Sequence, residues 1–207
     1  VSIVGSRIAC DDEGMTPTLH ITGDPAADEL LSTEPLALLI GMLLDQQVPM
    51  ETAFGGPAKL RERLGHLDAT RIARHDPEDF AEICRRSPAV HRFPAAMAER
   101  IQALCAALVA DWGGDAAGIW ERDAPDGATV YARLRTMPGF GEQKAKIFLA
   151  LLGKQYGLEA EGWRPASEPY GEPGALRSVA DIVDPASLAK VREHKRAAKA
   201  AAKPAGR

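Results

Sequence analysis

The residues best placed to do chemistry on a ligand are two glycines. Gly139 and Gly141 stand in Leu134-x-x-Met137-Pro138-Gly139-Phe140-Gly141-x-x-Lys144-Ala145, between two amphipathic segments. Without a Cβ, each lets the backbone turn tightly and come close to a ligand. The N–H groups of such a turn, with the unpaired N–H groups that open a following helix, form a nest for phosphate oxygens. Lys144 and Lys146 lie just inside that helix and add positive charge. A hairpin of this kind holds a nucleic-acid backbone and positions it without reading sequence. A helix C-cap followed by an ordinary turn would carry the same glycines; the apolar positions on both flanks favour the phosphate-binding reading.

Other reactive types are sparse. Trp163-Arg164 and Tyr170 lie in a Pro/Gly-rich stretch, where the rings either stack on a base or pin the loop to the body; pinning is the expectation. His91-Arg92 either reaches a phosphate or is a surface pair, and the surface pair is expected. His20, His66, His75 and His194 show no ligand spacing. Cys10, Cys84 and Cys105 are odd in number, far apart and without a C-x-x-C, so neither a disulfide framework nor a zinc site is expected. Three thiols are too few for an iron–sulfur cluster held by four within these residues. No metal is expected to do the chemistry, and the cysteine usage suits a reducing cytoplasm.

These residues need elements to hold them, and the chain reads as helix after helix. Asp24-Pro25 opens a short helix ending near Leu31, and Thr33-Glu34-Pro35 reads as the cap of the next. Leu36 to Gln46 is apolar on every face, which predicts a buried central helix. Asp76-Pro77 is another start signal. After Pro94, Met97, Ile101, Leu104, Cys105, Leu108 and Trp112 repeat at helical spacing up to Gly113-Gly114. Asp126-Gly127 and Asp184-Pro185 begin two more helices, and short strands are plausible only near residues 1–22. The fold class is mainly α. Four segments are expected: an N-terminal extension, 1–22; a helical core, 23–157; a Pro/Gly-rich segment packed on it, 158–185; and a basic helix or tail, 186–207.

Charge is unevenly spread. The net charge is -4, but residues 186–207 carry seven basic residues against Glu193, so that segment is +6 and leaves -10 on the rest. The tail is expected to fray and to add salt-sensitive, non-specific affinity. The longest apolar run, Leu36 to Leu44, is far short of the ~18 residues a membrane span needs. The first residues do not read as a signal peptide, and one reading starts translation at Met15. A cytoplasmic, nucleoid-associated monomer with no membrane partner is the expectation.

With hairpin and buried helix in view, the chain resembles the helix–hairpin–helix/Gly-Pro-Asp (HhH-GPD) superfamily of base-excision DNA glycosylases. Leu39-Ile40-Gly41-Met42-Leu43-Leu44-Asp45-Gln46-Gln47 looks like its buried helix and glutamine-bearing loop, and Met137 to Ala145 like its hairpin. The similarity covers about residues 30–157. It implies a two-lobed helical fold that bends double-stranded DNA and rotates one nucleotide into a pocket. It implies that Gln46 or Gln47 fills the vacated stack, and that Pro138, Gly139, Phe140 and Gly141 hold the backbone. A monovalent cation bridging hairpin carbonyls and phosphate is also implied, with no other cofactor. The lysine with which bifunctional members attack the sugar is replaced here by Gln143. Lys144 is next to it but should point elsewhere, since one helical residue is a turn of about 100°. A monofunctional, water-using enzyme is therefore expected. The family's catalytic aspartate, about twenty residues past the hairpin, would stabilise an oxocarbenium-like sugar. Asp181 is the leading candidate for it, with Glu161 and then Asp184 as alternatives, or no such carboxylate exists. A non-catalytic DNA-binding module and a helical protein–protein adaptor are the other two readings.

Overall fold

A ten-residue helix without a polar face can be stable in water only inside other elements, and Pro35–Leu44 is buried from Leu36 onward. In the computed structural model, which describes residues 18–201, this helix is α2. It follows α1 (Pro25–Thr33) and precedes α3 (Met50–Phe54), α4 (Gly56–Leu64), α5 (Ala69–Ala73), α6 (Pro77–Arg85) and α7 (Pro94–Trp112). Then come α8 (Gly118–Glu121), α9 (Gly127–Thr136), α10 (Glu142–Gln155), α11 (Trp163–Ala166), a 3-10 turn at Val179–Asp181, and α12 (Pro185–Ala201). No strand forms among the described residues, so residues 18–22 are not one; residues 1–17, with Cys10 and Met15, lie outside them. None of the described helices is long and apolar enough to cross a membrane.

The helix packing falls into two groups. In one, α2 packs on α1, α3, α4 and α7, and α7 on α5 and α6; in the other, α9, α10 and α11 pack on one another and the 3-10 turn joins α10 to α12. The division lies between α7 and α8, inside the stretch that the sequence reads as one core.

Several starts follow from side-chain capping. Asp24, Asp76 and Asp126 accept first-turn N–H groups of α1, α6 and α9, and Asp184 accepts from Ser187 at the start of α12. The cap expected from Thr33 is not made. Thr33 is the last residue of α1, its hydroxyl donating to the Glu29 carbonyl at 2.9 Å, and Glu34 begins α2 with no side-chain cap. A threonine hydroxyl inside a helix can bond the carbonyl four residues back, and that bond won here.

The Pro/Gly-rich segment is anchored by packing. The Trp163 ring lies flat on α10 where Gly153 has no side chain, and the start of α9 meets the Trp163 backbone at Gly127. A Cβ on either glycine would sit 2.3 Å from Trp163 atoms. Trp163 is buried and serves as the pin that sequence reasoning expects.

A part-buried polar contact near the hairpin helps tie the two groups together. Lys144 on α10 donates from Nζ to the carbonyls of Met42 and Leu43 at the end of α2, 2.6 Å each. These are among the last carbonyls of a helix, which have no partner within it. Beside them the Leu43 side chain fills the space a Cβ on Gly139 would need, 2.3 Å away. Burial pushes the Lys144 amine down to about 8, against the opposing pull of Asp45.

Two outcomes follow. Trp163→Ala should cost about 3–5 kcal/mol of stability in denaturant unfolding, as truncation of a buried tryptophan does. For Lys144 the sign is fixed by linkage: a folded value near 8 below an ordinary 10.5 means the unfolded chain binds the extra proton between them. The stability difference between the wild type and Lys144→Met should therefore grow as pH rises from about 8 toward 10.5, read from unfolding curves at each pH.

Candidate nucleic-acid interface and cavity

α9 ends at Thr136 because Pro138 cannot continue the ladder and Gly139 takes a left-handed φ of +84°. The Phe140 N–H closes the turn onto the Met137 carbonyl at 3.0 Å. Its ring is buried edge-on against Phe148, 5.7 Å between centroids, and this fixes the hairpin to α10. Gly139 and Gly141 remain exposed on either side. Among the described residues no acceptor takes the N–H groups of Gly139, Gly141, Glu142, Gln143 or Lys144. Open donors at an exposed turn and at the start of a 14-residue helix make a site for an anion. Lys146 is bonded to Glu142 at 2.8 Å on the exposed face of α10.

The loop after α2 is held differently at its two glutamines. The Gln46 side chain donates to the Leu43 carbonyl at 2.7 Å and accepts from Arg100 at 2.7 Å. Its backbone carbonyl takes His91 Nε2 at 2.8 Å, while His91 Nδ1 accepts the Phe93 N–H at 3.1 Å. That pairing fits a ring carrying its proton on Nε2. The expectation of a surface His91-Arg92 pair is thus half wrong: Arg92 is exposed, but His91 is buried at 2% exposure. A polar loop above a buried helix end needs internal partners, and His91 supplies one. Gln47 is exposed, has no hydrogen bond among the described residues and sits at φ +57°, a conformation non-glycine residues adopt at a cost. Of the two glutamines, Gln47 has the free side chain. Phe93, exposed with Arg92 over its ring at 4.6 Å, stands close to this loop and was not singled out from sequence.

Between this loop and α10 lies a cavity of about 510 Å³, large enough for a nucleoside. Asp45, Gln47 and Val48 line it from the loop, and Gln143, Lys144 and Ile147 from α10. Tyr170 and Arg177 come from the Pro/Gly-rich segment, and His194 and Lys195 from α12. Lys144 therefore shares the cavity with Gln143, against the expectation that it points away. The backbone does turn between them, but the long lysine stem bends back to the α2 carbonyls, whereas Gln143 reaches Tyr170, donating to its hydroxyl at 2.9 Å. Tyr170 is thus a wall of the cavity and not only a loop anchor. α12 closes another side: Lys195 lies 3.8 Å from Asp45, and Arg192 pairs with Glu51. The basic segment is docked along this stretch, with Val191 fully buried, so the fraying expected of it does not begin at Lys190. A larger groove of about 670 Å³, between residues 18–33 and α12, holds none of the hairpin or glutamine-loop residues.

The carboxylates expected from sequence fall elsewhere. Asp181 is outside the lining of the cavity, with a side chain 3% exposed. One oxygen takes Lys154 Nζ at 2.6 Å; the other takes the N–H groups of Arg177 and Ser178 at 2.8 and 3.0 Å. Asp181 and Ser178 form a capping box within the 3-10 turn, and the Lys154 pair ties that turn to α10. Glu161 lines a separate surface hollow with Glu121, Asp126 and Glu159. Asp184 is spent as the α12 cap, where the Ser187 N–H holds its carboxyl below the usual range. The acid that does reach the cavity, Asp45, sits directly before the two glutamines. Nothing local in the sequence marks it, because its neighbours Lys144 and Lys195 are far along the chain. Among the described residues no group of three or more His, Cys, Asp or Glu side chains is arranged to hold a metal. Cys84 and Cys105 are buried thiols pushed up to about 11 and about 12 by burial.

The chain matches the model of the HhH-GPD superfamily base excision DNA repair protein over residues 40–201. No curated protein and no solved structure gives a match. The matched span begins inside α2 and ends with α12, so it takes in the glutamine loop, the hairpin and every wall of the cavity between them. The chain belongs to the HhH-GPD superfamily of base excision DNA repair proteins.

Proposed function

We propose that this protein is a monofunctional DNA N-glycosylase acting on duplex DNA. The observation that carries the reading is the cavity flanked by the open amides of the hairpin and the free Gln47 side chain. The hairpin amides take a backbone phosphate, and Gln47 enters the stack a rotated nucleotide leaves. That nucleotide enters the cavity, where Tyr170 offers a flat apolar wall and Gln143 an amide. The C1′–N bond then breaks, its electron pair leaving with the base, which gains a proton. Water supplies the oxygen bound to C1′ and loses a proton to the protein.

Hydrolysis by water suits the side chains better than attack by lysine. Gln143 stands where the family resemblance puts the nucleophile, and it is an amide. Lys144, although easier to deprotonate than most lysines, spends its Nζ on two helix carbonyls 2.6 Å away.

The test is base release from duplexes carrying uracil, hydroxymethyluracil, alkylated purines, oxidised bases or mispairs. Abasic product from one of these, without a borohydride-trapped covalent adduct, is the expected result. Duplex binding with no product from any substrate would favour a non-catalytic module, and a trapped adduct lost in Lys144→Met would overturn the water mechanism. The hairpin has its own test. Gly141 has an extended backbone at φ -72° and ψ 178°, and a Cβ there meets nothing within 4 Å, so Gly141→Val should fold. It should weaken duplex binding by roughly 10- to 100-fold in a titration, the worth of a charge-assisted hydrogen bond or two. Unchanged affinity would remove the hairpin from the interface.

A further inference from the structure

A glycosylase needs negative charge near C1′ when the base departs, and the acids expected to supply it lie outside the cavity. Among the residues that line the cavity, Asp45 is the one acid. It is the residue on which α2 ends, with its own N–H bonded back to Gly41 at 3.1 Å, so a rigid buried helix fixes its position. Its side chain is 14% exposed, and no described residue donates a hydrogen bond to its carboxylate. Lys195 Nζ stands 3.8 Å from it, beyond hydrogen-bond reach, and Lys144 is near enough to feel its charge. Asp181 differs in every respect: it is walled off, its oxygens are filled by three donors, and it holds two elements together.

On these grounds, and resting on the glycosylase reading above, we propose that Asp45 is the catalytic carboxylate of this protein. As the C1′–N bond breaks, positive charge spreads over C1′ and the ring oxygen of the sugar, and a carboxylate held beside it offsets it. The same group takes the proton of the water whose oxygen bonds to C1′, and returns it to solvent after the sugar is released. Gln47 follows it by two residues, so one loop would carry both the charge under the sugar and the side chain in the stack. Lys144 and Lys195, on α10 and α12, hold the loop in place from two sides and act as positioning residues.

The experiment uses the full chain and two readouts. The first is single-turnover base release by the wild type, Asp45→Asn and Asp181→Asn, each checked for its helical circular dichroism. The second is affinity for two abasic-site duplexes, one with a cationic pyrrolidine in place of the sugar and one with a neutral tetrahydrofuran. The pyrrolidine carries the charge of the transition state, so this readout does not depend on knowing the base. Expected is a preference of at least about 10-fold for the cationic duplex in the wild type and Asp181→Asn, lost in Asp45→Asn, with the neutral duplex bound alike by all three. Base release by Asp45→Asn should fall about 10²- to 10³-fold. A preference that survives in Asp45→Asn, or is absent from the wild type, overturns the assignment. Base release by the wild type in that case would leave the glycosylase reading standing, and its absence would remove both.

Discussion

Two carbonyls at the end of α2 have no partner within their helix, and a lysine one hundred residues further along the chain supplies it. The Lys144 bonds to Met42 and Leu43 do more than satisfy a helix end. They set the distance between the glutamine loop, which continues from those carbonyls, and the hairpin, which leads into Lys144. Leu43 against Gly139 sets the same distance by apolar contact. The cavity exists because these two contacts hold the loop and α10 together at its base while Tyr170 and α12 approach from the sides. An amine taken out of water is costly to charge, and burial lowers Lys144 to about 8 even though two carbonyls accept from it.

Electrostatics around the cavity run against the average of the molecule. The chain as a whole is -4, yet Lys144, Arg177 and Lys195 face this space with Asp45 as the lone acid among its lining residues. Under the proposed reading such an arrangement suits a polyanion whose sugar becomes cationic only at the moment of reaction: Arg177 and Lys195 would attract phosphate, and the single carboxylate would act at one point. Some of the remaining acid charge is spent locally, at Asp24, Asp76, Asp126 and Asp184, where carboxylates cap helices. Net charge therefore says little about the partner here, and its placement says a great deal.

The sequence made legible whatever depends on neighbours. α2 could be read as buried because no face of it is polar, the hairpin because two glycines and a proline constrain the backbone, and the starts of α1, α6, α9 and α12 because Asp-Pro or Asp-Gly pairs cap them. It misled where a local signal had a competitor, as at Thr33, whose hydroxyl turned back into its own helix. The site was less legible than the fold. Asp181 is the leading candidate that the resemblance implies, but its burial beside Lys154 depends on how α10 packs, which no spacing encodes. Lys144 looked misdirected because helical geometry fixes the direction of a Cβ and not the end of a long flexible side chain. His91 passed for a surface residue because its partner, the Gln46 carbonyl, is 45 residues away. Asp45 acquires meaning only once residues 144 and 195 are beside it.

The roles proposed for the hairpin, Gln47 and Asp45 all require that a duplex lie across the hairpin and the cavity. The most direct measurement is the structure of the full chain bound to a duplex with a central tetrahydrofuran abasic site. It should place a backbone phosphate within hydrogen-bond distance of the Gly139 and Gly141 amides, the abasic sugar in the cavity beside Asp45, and Gln47 in the stack. A duplex seated on any other face, with the hairpin amides left to solvent, would contradict it.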